Sequence, residues 1–551
     1  MAARSLVRVL VVVAGAAIWL IFAFRIGDDP QLPSTNPTTR TSAQATTTTE
    51  ESCNVSPPPA APILAGDPDS LSLAVSRAAF ECAPVMVIGS ATDFGSLQIG
   101  IQLAAAAQGP LLLTLDDAVI ESEATRLEVE EILLLVEADL STTKKLTLLT
   151  MEEAIDATRR LNRDAEPLTN DEGWGWSRAV ISALTGAEVV AGGVGVFDLG
   201  IDTAAVATSA PDSDVVWLAD GTNPALAAPV VAAAAARGES ALLVDPTDLR
   251  RLPVVVDAVR RIAPAIAIAA GPYDSQAVSW QTPALVAAPE LPGGGLIMFP
   301  GRRLVAYYGN PSTPNLGILG AQNADETINK LIPIATEYSA DGVLTVPTFE
   351  IIATVASASA GSDDDYSEET DLDVLRPWIE IAGQRGVYVV LDLQPGRTDF
   401  LTQAQLYEEF LRLPHVGLAL DPEWRLQPNQ VHLRQVGSVD AAEINTVVDW
   451  LSAVVRESNL PQKLLLLHQF KLSMITNREL IEAPPELAVV IQMDGQGPLP
   501  SKYGTYSALT AGAEDADWMW GWKNFYQLDT PLATAAEVLH LEPLPVFVSF
   551  Q

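Results

Sequence analysis

From Leu304 to the C-terminus the chain alternates short apolar runs with longer stretches in which apolar residues recur every three or four positions. The short runs are LVAYY (304–308), GVLTV (342–346), VYVVL (387–391), VGLAL (416–420), LLLL (464–467), LAVVIQ (487–492), DWMW (517–520) and VFVS (546–549). Apolar runs of this length suit strands buried on both faces. Between them DETINKLIPIATEY, LDVLRPWIEIAGQ, AQLYEEFLRL and AAEINTVVDWLSAVV carry a helical period. Eight such alternations over residues 296–551 predict an α/β fold of the (β/α)8 TIM-barrel type, a closed parallel barrel of ordinary size.

A second pattern occupies residues 66–289. The strand VMVIG (85–89) leads through SATDFG into LQIGIQLAAAAQ and then PLLLT. At an offset of 130 residues, VVWLA (215–219) leads through DGTNPA into LAAPVVAAAAARG and then ALLV. Only seven of the 30 aligned positions are identical, so the order of elements carries the correspondence. Each copy continues into a further apolar run, ILLLVE near 132–137 and AIAIAAG near 265–271, which predicts a repeated βαβ domain with parallel strands. PELPGGG (289–295) breaks the pattern and marks the boundary with the barrel.

The repeat resembles the cell-wall-binding repeat of type two, found in exported proteins of Gram-positive bacteria. SATDFGSLQIGIQLAAAAQGPLLLT is the better copy; the family's arginine-tyrosine-threonine signature is not evident, and its GG turn is vestigial in AAGP. The resemblance implies attachment to a wall polymer. A plain α/β spacer domain is the alternative.

The N-terminus adds a different hydrophobic pattern. Arg4 and Arg8 precede the uncharged run Val9–Phe24, followed by Arg25, Asp28 and Asp29. Sixteen helical residues rise about 24 Å, slightly short of a hydrocarbon core of about 30 Å unless the arginines snorkel. Without a convincing small-residue cleavage site or a lipobox cysteine, residues 1–27 read as an uncleaved signal anchor with one transmembrane helix; a cleaved signal peptide is the alternative. The flanking arginines keep the N-terminal end inside, which puts the bulk of the protein outside the cell, facing the wall. Residues 28–65, rich in Thr, Ser and Pro, are expected to form a disordered linker. In an exported chain the two cysteines, Cys53 and Cys82, are expected to form a disulfide.

Composition removes some functions. A net charge of −37 argues against a nucleic-acid partner and against docking on anionic lipid. With four histidines and two cysteines a zinc cluster is not expected, and the Asp363–Asp365 run lacks the Gly and Glu spacing of a calcium loop, so it reads as a solvated lid. No P-loop, dinucleotide fingerprint or G-x-S-x-G elbow appears, and no cofactor or metal is expected.

The residues just after each barrel strand should converge on one mouth. They include Tyr308, Glu350 after a short loop, Asp392 with Gln394, Asp421, Glu423 and Trp424, His468 and Gln469, Asp494, and Trp522, Lys523 and Asn524. Aromatic rings and carboxyls together suit sugar, because pyranose faces stack on rings and hydroxyls pair with polar groups. Cleaving a glycosidic bond needs a protonated acid and a carboxylate near the developing positive charge. In D-P-E, residues two apart on an extended strand project on one side, so Asp421 would raise the pKa of Glu423 and keep it protonated. Asp392 and Asp494 would supply the second carboxylate; Tyr308, Trp424, His468, Gln469, Trp522, Lys523 and Asn524 would hold substrate. Asp421 could instead cap the turn before Pro422.

The D-x-E strand ending resembles the strand-four motif of chitinase-like hydrolases and wall-cleaving muramidases, which implies Glu423 as acid and Asp421 as its supporting carboxylate. Pro422 and the absence of a longer aspartate ladder depart from that motif. YYGNP, LDLQPGRTDF, LDPEW, LHQF and GWKNF also resemble an uncharacterised family of exported actinobacterial proteins, which brings no activity with it. The sequence therefore points to an extracellular envelope protein hydrolysing a cell-wall or capsular polysaccharide; the alternative is a non-catalytic glycan-binding scaffold. A metal-dependent hydrolase using Asp392, His468 and Asp494 would require His468 within coordination reach of two aspartates.

Overall fold

The computed structural model describes residues 56–114, 116–138, 140–161, 189–191, 214–514 and 516–551. The expected anchor and most of the linker lie outside these residues, and among the described residues no helix is long and apolar enough to cross a membrane. Cys82 is disulfide-bonded, and its expected partner Cys53 lies outside the described residues.

The two βαβ units build separate parallel sheets. One orders the strands Leu111–Leu112, Val85–Ile88, Glu131–Leu134 and Lys145–Leu148. The other orders Ile63–Leu64, Ile266–Gly271, Val215–Asp220, Ser240–Val244 and Val189–Ala191. The helices Phe94–Ala106 and Pro224–Ala236 keep the 130-residue offset and pack against each other. Their starts follow from side chains in the polar turns: Asp93 accepts from the backbone N–H of Gly95 and Ser96, and Asn223 accepts from that of Ala225. Alanine-rich surfaces allow close helix approach, and one apolar core joins both helices to both sheets.

Gly293, Gly294 and Gly295 all have positive φ (89°, 93° and 72°), a conformation that L side chains resist, so this stretch of PELPGGG reverses the chain. The Arg302 guanidinium donates to the carbonyls of Pro292 and Gly294 and fixes the turn to the first barrel strand.

The barrel strands are β1 (Arg302–Gly309), β2 (Leu344–Ala356), β3 (Tyr388–Leu393), β4 (Val416–Leu420), β5 (Lys463–Gln469), β6 (Leu487–Met493), β7 (Met519–Asn524) and β8 (Phe547–Phe550). All eight neighbouring pairs are parallel, and β8 returns to β1, closing the barrel. The main departure from expectation is β2. It runs ten residues beyond Val346, so Glu350 lies within a strand and not after a loop. Its register places Glu350 beside Tyr308 of β1 and Val390 of β3.

The lower bore is apolar, filled by Leu304, Val346, Val390, Leu464, Leu466 and Phe547 and closed underneath by Leu291, Met298 and Phe299. A second, larger core lies between the strands and the surrounding helices. A packed bore leaves only its upper end for polar chemistry. Leu466→Ala should cost about 2–5 kcal/mol, the usual range for a fully buried leucine; urea unfolding checks this, and an unchanged midpoint would contradict the packed bore.

Candidate active site at the C-terminal rim of the barrel

Alternate residues of a barrel strand face the bore and the helix layer in turn. In β7, Gly521 and Lys523 belong to the bore face, and Trp520, Trp522 and Asn524 to the other. Trp522 is 0% exposed, packs beside Tyr503 and Tyr506 at ring separations of 5.8 and 5.9 Å, and donates from Nε1 to Asn524 Oδ1 at 2.9 Å. The expected substrate contacts at Trp522 and Asn524 are therefore corrected: both residues hold the strand to its helices. Gln469 is corrected for the same reason, since it follows bore-facing His468 and its side-chain oxygen accepts from Arg478 at 2.8 Å.

The bore-facing residues converge. From β5, His468 reaches across to Glu350 of β2, with Nε2 2.8 Å from Oε1. Its Nδ1 lies 3.2 Å from Asp494 and 3.6 Å from Asp421. Lys523 sits over the Tyr308 ring, 3.5 Å from its centroid, and its Nζ is 3.3 Å from Asp494 Oδ1. Tyr308 donates to Asp392 Oδ2 at 2.9 Å and receives a hydrogen bond from Gln394 at 3.1 Å. Glu350, prominent here, was named at the mouth from the sequence but given no role, because the valine- and threonine-rich run around it gives no local mark of a strand end. The usable signal was its position in register with Tyr308.

Asp421 and Glu423 do not lie on an extended strand. β4 ends at Leu420, and Pro422–Trp424 form one 3-10 turn. The Asp421 side chain caps nothing, so the capping alternative fails and its carboxylate stays directed at the mouth. The turn is held from behind: Gly437 N–H donates to the Glu423 carbonyl at 2.7 Å, and Arg425 bonds Glu443 at 2.8 Å and the Arg397 carbonyl at 2.9 Å. A Cβ on Gly437 would come within 2.6 Å of the Pro422 and Glu423 carbonyls, so this glycine permits the close approach.

Five carboxyl groups thus surround two cationic side chains in a site mostly shut off from water. Burial, and then the charges of Asp421 and Asp494, push Glu423 up to about 8. Burial likewise raises Asp392 to about 7, reinforced by Asp421 and Glu350. Asp494 goes the other way: burial opposes its charge, but Lys523 and His468 hold it below the usual carboxylate range. His468 and Lys523 resist the desolvation that would strip their protons because carboxylates face them, Asp392 foremost for the imidazole and Asp494 for the ammonium. Two carboxyls of one cluster are driven apart in this way, one toward a proton and one toward a charge.

Above this cluster opens a cavity of about 520 Å³, lined by Asp421, Glu423, Asp494 and Lys523 together with the Trp424, Phe470 and Phe525 rings. Tyr308 also lines it, whereas Asp392 and His468 lie at 0% exposure beneath. These two touch the cavity only through Tyr308 and Asp494, and the expected direct contacts at Asp392 and His468 are corrected. The expected solvated lid is half pinned: Asp364 is exposed and pairs with Arg397, while buried Asp365 accepts from Ser367 N–H and Thr398 Oγ1.

His468 does come within coordination reach of two aspartates, the arrangement a metal hydrolase requires. Donor atoms of Asp392, Asp421 and His468 lie within 4.8 Å of one another, as do those of Asp421, Glu423 and Asp494. The second set contacts the buried Lys523 ammonium through Asp494, and the first feels the same charge at longer range; that charge offsets the carboxylates without an ion and would repel a divalent cation. Prolonged chelation followed by desalting is expected to leave catalytic rate and melting temperature unchanged; loss of either, restored by one divalent ion, would reverse that assignment.

The two tryptophans divide core from cavity wall. Trp522→Ala should lower stability by about 3–5 kcal/mol, whereas Trp424→Ala, at the cavity wall, should change the unfolding midpoint little. Denaturant titration tests the pair, and equal midpoints would contradict the division.

No family model and no curated protein matches the chain. Among solved structures, the chain is similar to Cwp6 from Clostridium difficile at a TM-score of 0.32 and 12% identity, over 60% of this chain and 63% of that one.

Proposed function

We propose that the barrel hydrolyses a glycosidic bond in a cell-wall or capsular polysaccharide, and that the protein works at the outer face of the cell, held there by its N-terminal segment. The observation that carries this reading is the pairing of Glu423 with Asp494 across one aromatic-lined cavity. Glu423 is the general acid, and its protonation at neutral pH follows from burial and its acidic neighbours. Asp494, held charged by Lys523 and His468, stabilises the oxocarbenium-like centre. Asp421 raises the acid's pKa, while Asp392 holds the Tyr308 hydroxyl in place.

Trp424, on the same turn as the acid, gives a sugar ring a face to stack on. Phe470 and Phe525 line other parts of the cavity, and Gln496 offers a polar group to hydroxyls. The α/β repeats are the candidate wall-attachment region.

Reducing-end release from a panel of purified wall and capsular glycans tests the proposal. Glu423→Gln should reduce release by at least about 100-fold, the scale of general acid catalysis. Because the acid works protonated, kcat should fall as pH rises through about 8; Asp494 must stay ionised, so the acid-side limb should lie below the ordinary carboxylate range. Binding without release by either protein would instead identify a glycan-binding scaffold.

A further inference from the structure

We infer that the reaction retains anomeric configuration, with Asp494 attacking the anomeric carbon to form a covalent glycosyl ester. This rests on the hydrolase reading above and extends it to the stereochemical course.

Distance comes first. Asp421, Glu423 and Asp494 each present a carboxylate oxygen within 4.8 Å of the others. An inverting site keeps its two carboxyls about 6.5–9.5 Å apart to seat a water, whereas a retaining site sets them about 5–5.5 Å apart for direct attack. An oxygen of Glu423 and one of Asp494 thus come within 4.8 Å of each other, which leaves less room between the two groups than a site that seats a water there.

The identity of the nucleophile follows from position. Asp421 opens the 3-10 turn that carries the acid and acts on it as a close negative neighbour. Asp392 lies at 0% exposure, committed to the Tyr308 hydroxyl. Asp494 enters from the end of β6, lines the cavity and carries two cationic contacts, Lys523 at 3.3 Å and His468 at 3.2 Å. Glu350, 2.8 Å from the far nitrogen of His468, fixes the imidazole that holds the nucleophile and is a positioning residue.

The steps balance without a co-reactant other than water. In the first, an Asp494 oxygen bonds to the anomeric carbon as its bond to the glycosidic oxygen breaks, and the Glu423 proton passes to that oxygen. In the second, water bonds to the same carbon, its proton passes to the Glu423 carboxylate, and the ester bond breaks to restore the Asp494 carboxylate. Two inversions give retention.

The test follows the first-formed reducing end by proton NMR during cleavage of the glycan released most rapidly by the full chain, beside Asp494→Gly, Asp494→Asn and Asp421→Gly variants with and without molar azide. The expected result is a product of retained configuration and a loss of about 1,000-fold or more in both Asp494 variants. Azide should restore turnover of Asp494→Gly alone, yielding a glycosyl azide, and that rescue also certifies its fold. An inverted product would overturn the inference while leaving hydrolysis standing. Retention with azide rescue confined to Asp421→Gly, or Asp494 variants keeping more than about a tenth of the rate, would overturn the assignment of Asp494. Failure of the wild type to release any glycan would remove the hydrolase reading itself.

Discussion

Lys523 and His468 are the two positive charges around which the barrel's upper end is organised. Five carboxyl groups crowd them, and neither cation would keep its proton at such depth without those neighbours. Nor would so many carboxyls be tolerable without the cations, since an unpaired buried charge costs several kcal/mol. The mutual dependence assigns the roles: Asp494, in contact with both cations, is held charged, whereas Glu423, farther from them and close to other carboxylates, is held neutral. A neutral and a charged carboxyl are two outcomes of one electrostatic arrangement.

That arrangement stands on a strict division within the barrel. The lower bore is hydrocarbon, plugged from beneath by residues of the segment that joins the barrel to the preceding domain. The upper bore is polar, and the Gln492–Ser549 hydrogen bond at 2.7 Å continues the polar layer on the side away from Glu350. An apolar floor excludes water from below, which strengthens the interactions above it. Lys502 adds support from the helix layer, donating to the Lys523 carbonyl at 2.7 Å and pairing with buried Asp529, which itself accepts from Phe525 N–H. The residue carrying the central ammonium is thus anchored through its backbone as well as through its contacts.

Much of the fold was legible along the chain. Buried parallel strands need unbroken apolar runs, and all eight barrel runs became strands, with VGLAL matching its observed bounds. The 130-residue offset survived as two equivalent helices started by Asp93 and Asn223, because capping is a local interaction between a side chain and the next turn. Convergence of Asp421, Glu423, Asp494 and Lys523 was legible too, since closing a barrel leaves strand ends nowhere else to go. What misled was adjacency: in Gln469, Trp522 and Asn524 a chemically suitable residue stood beside a bore-facing one, and a strand sends neighbours to opposite faces.

The sequence by itself determined the elements, the turn at the glycine triplet and the polar residues that reach the barrel's rim, because each depends on local periodicity or backbone freedom. Tertiary structure alone decided which residues act together. Glu350 entered the site through a register set by β1 and β3, and His468 met it across the bore. Glu423 came to favour its proton and Asp494 its charge only when closure fixed their distances from Lys523, a quantity that no spacing along the chain encodes.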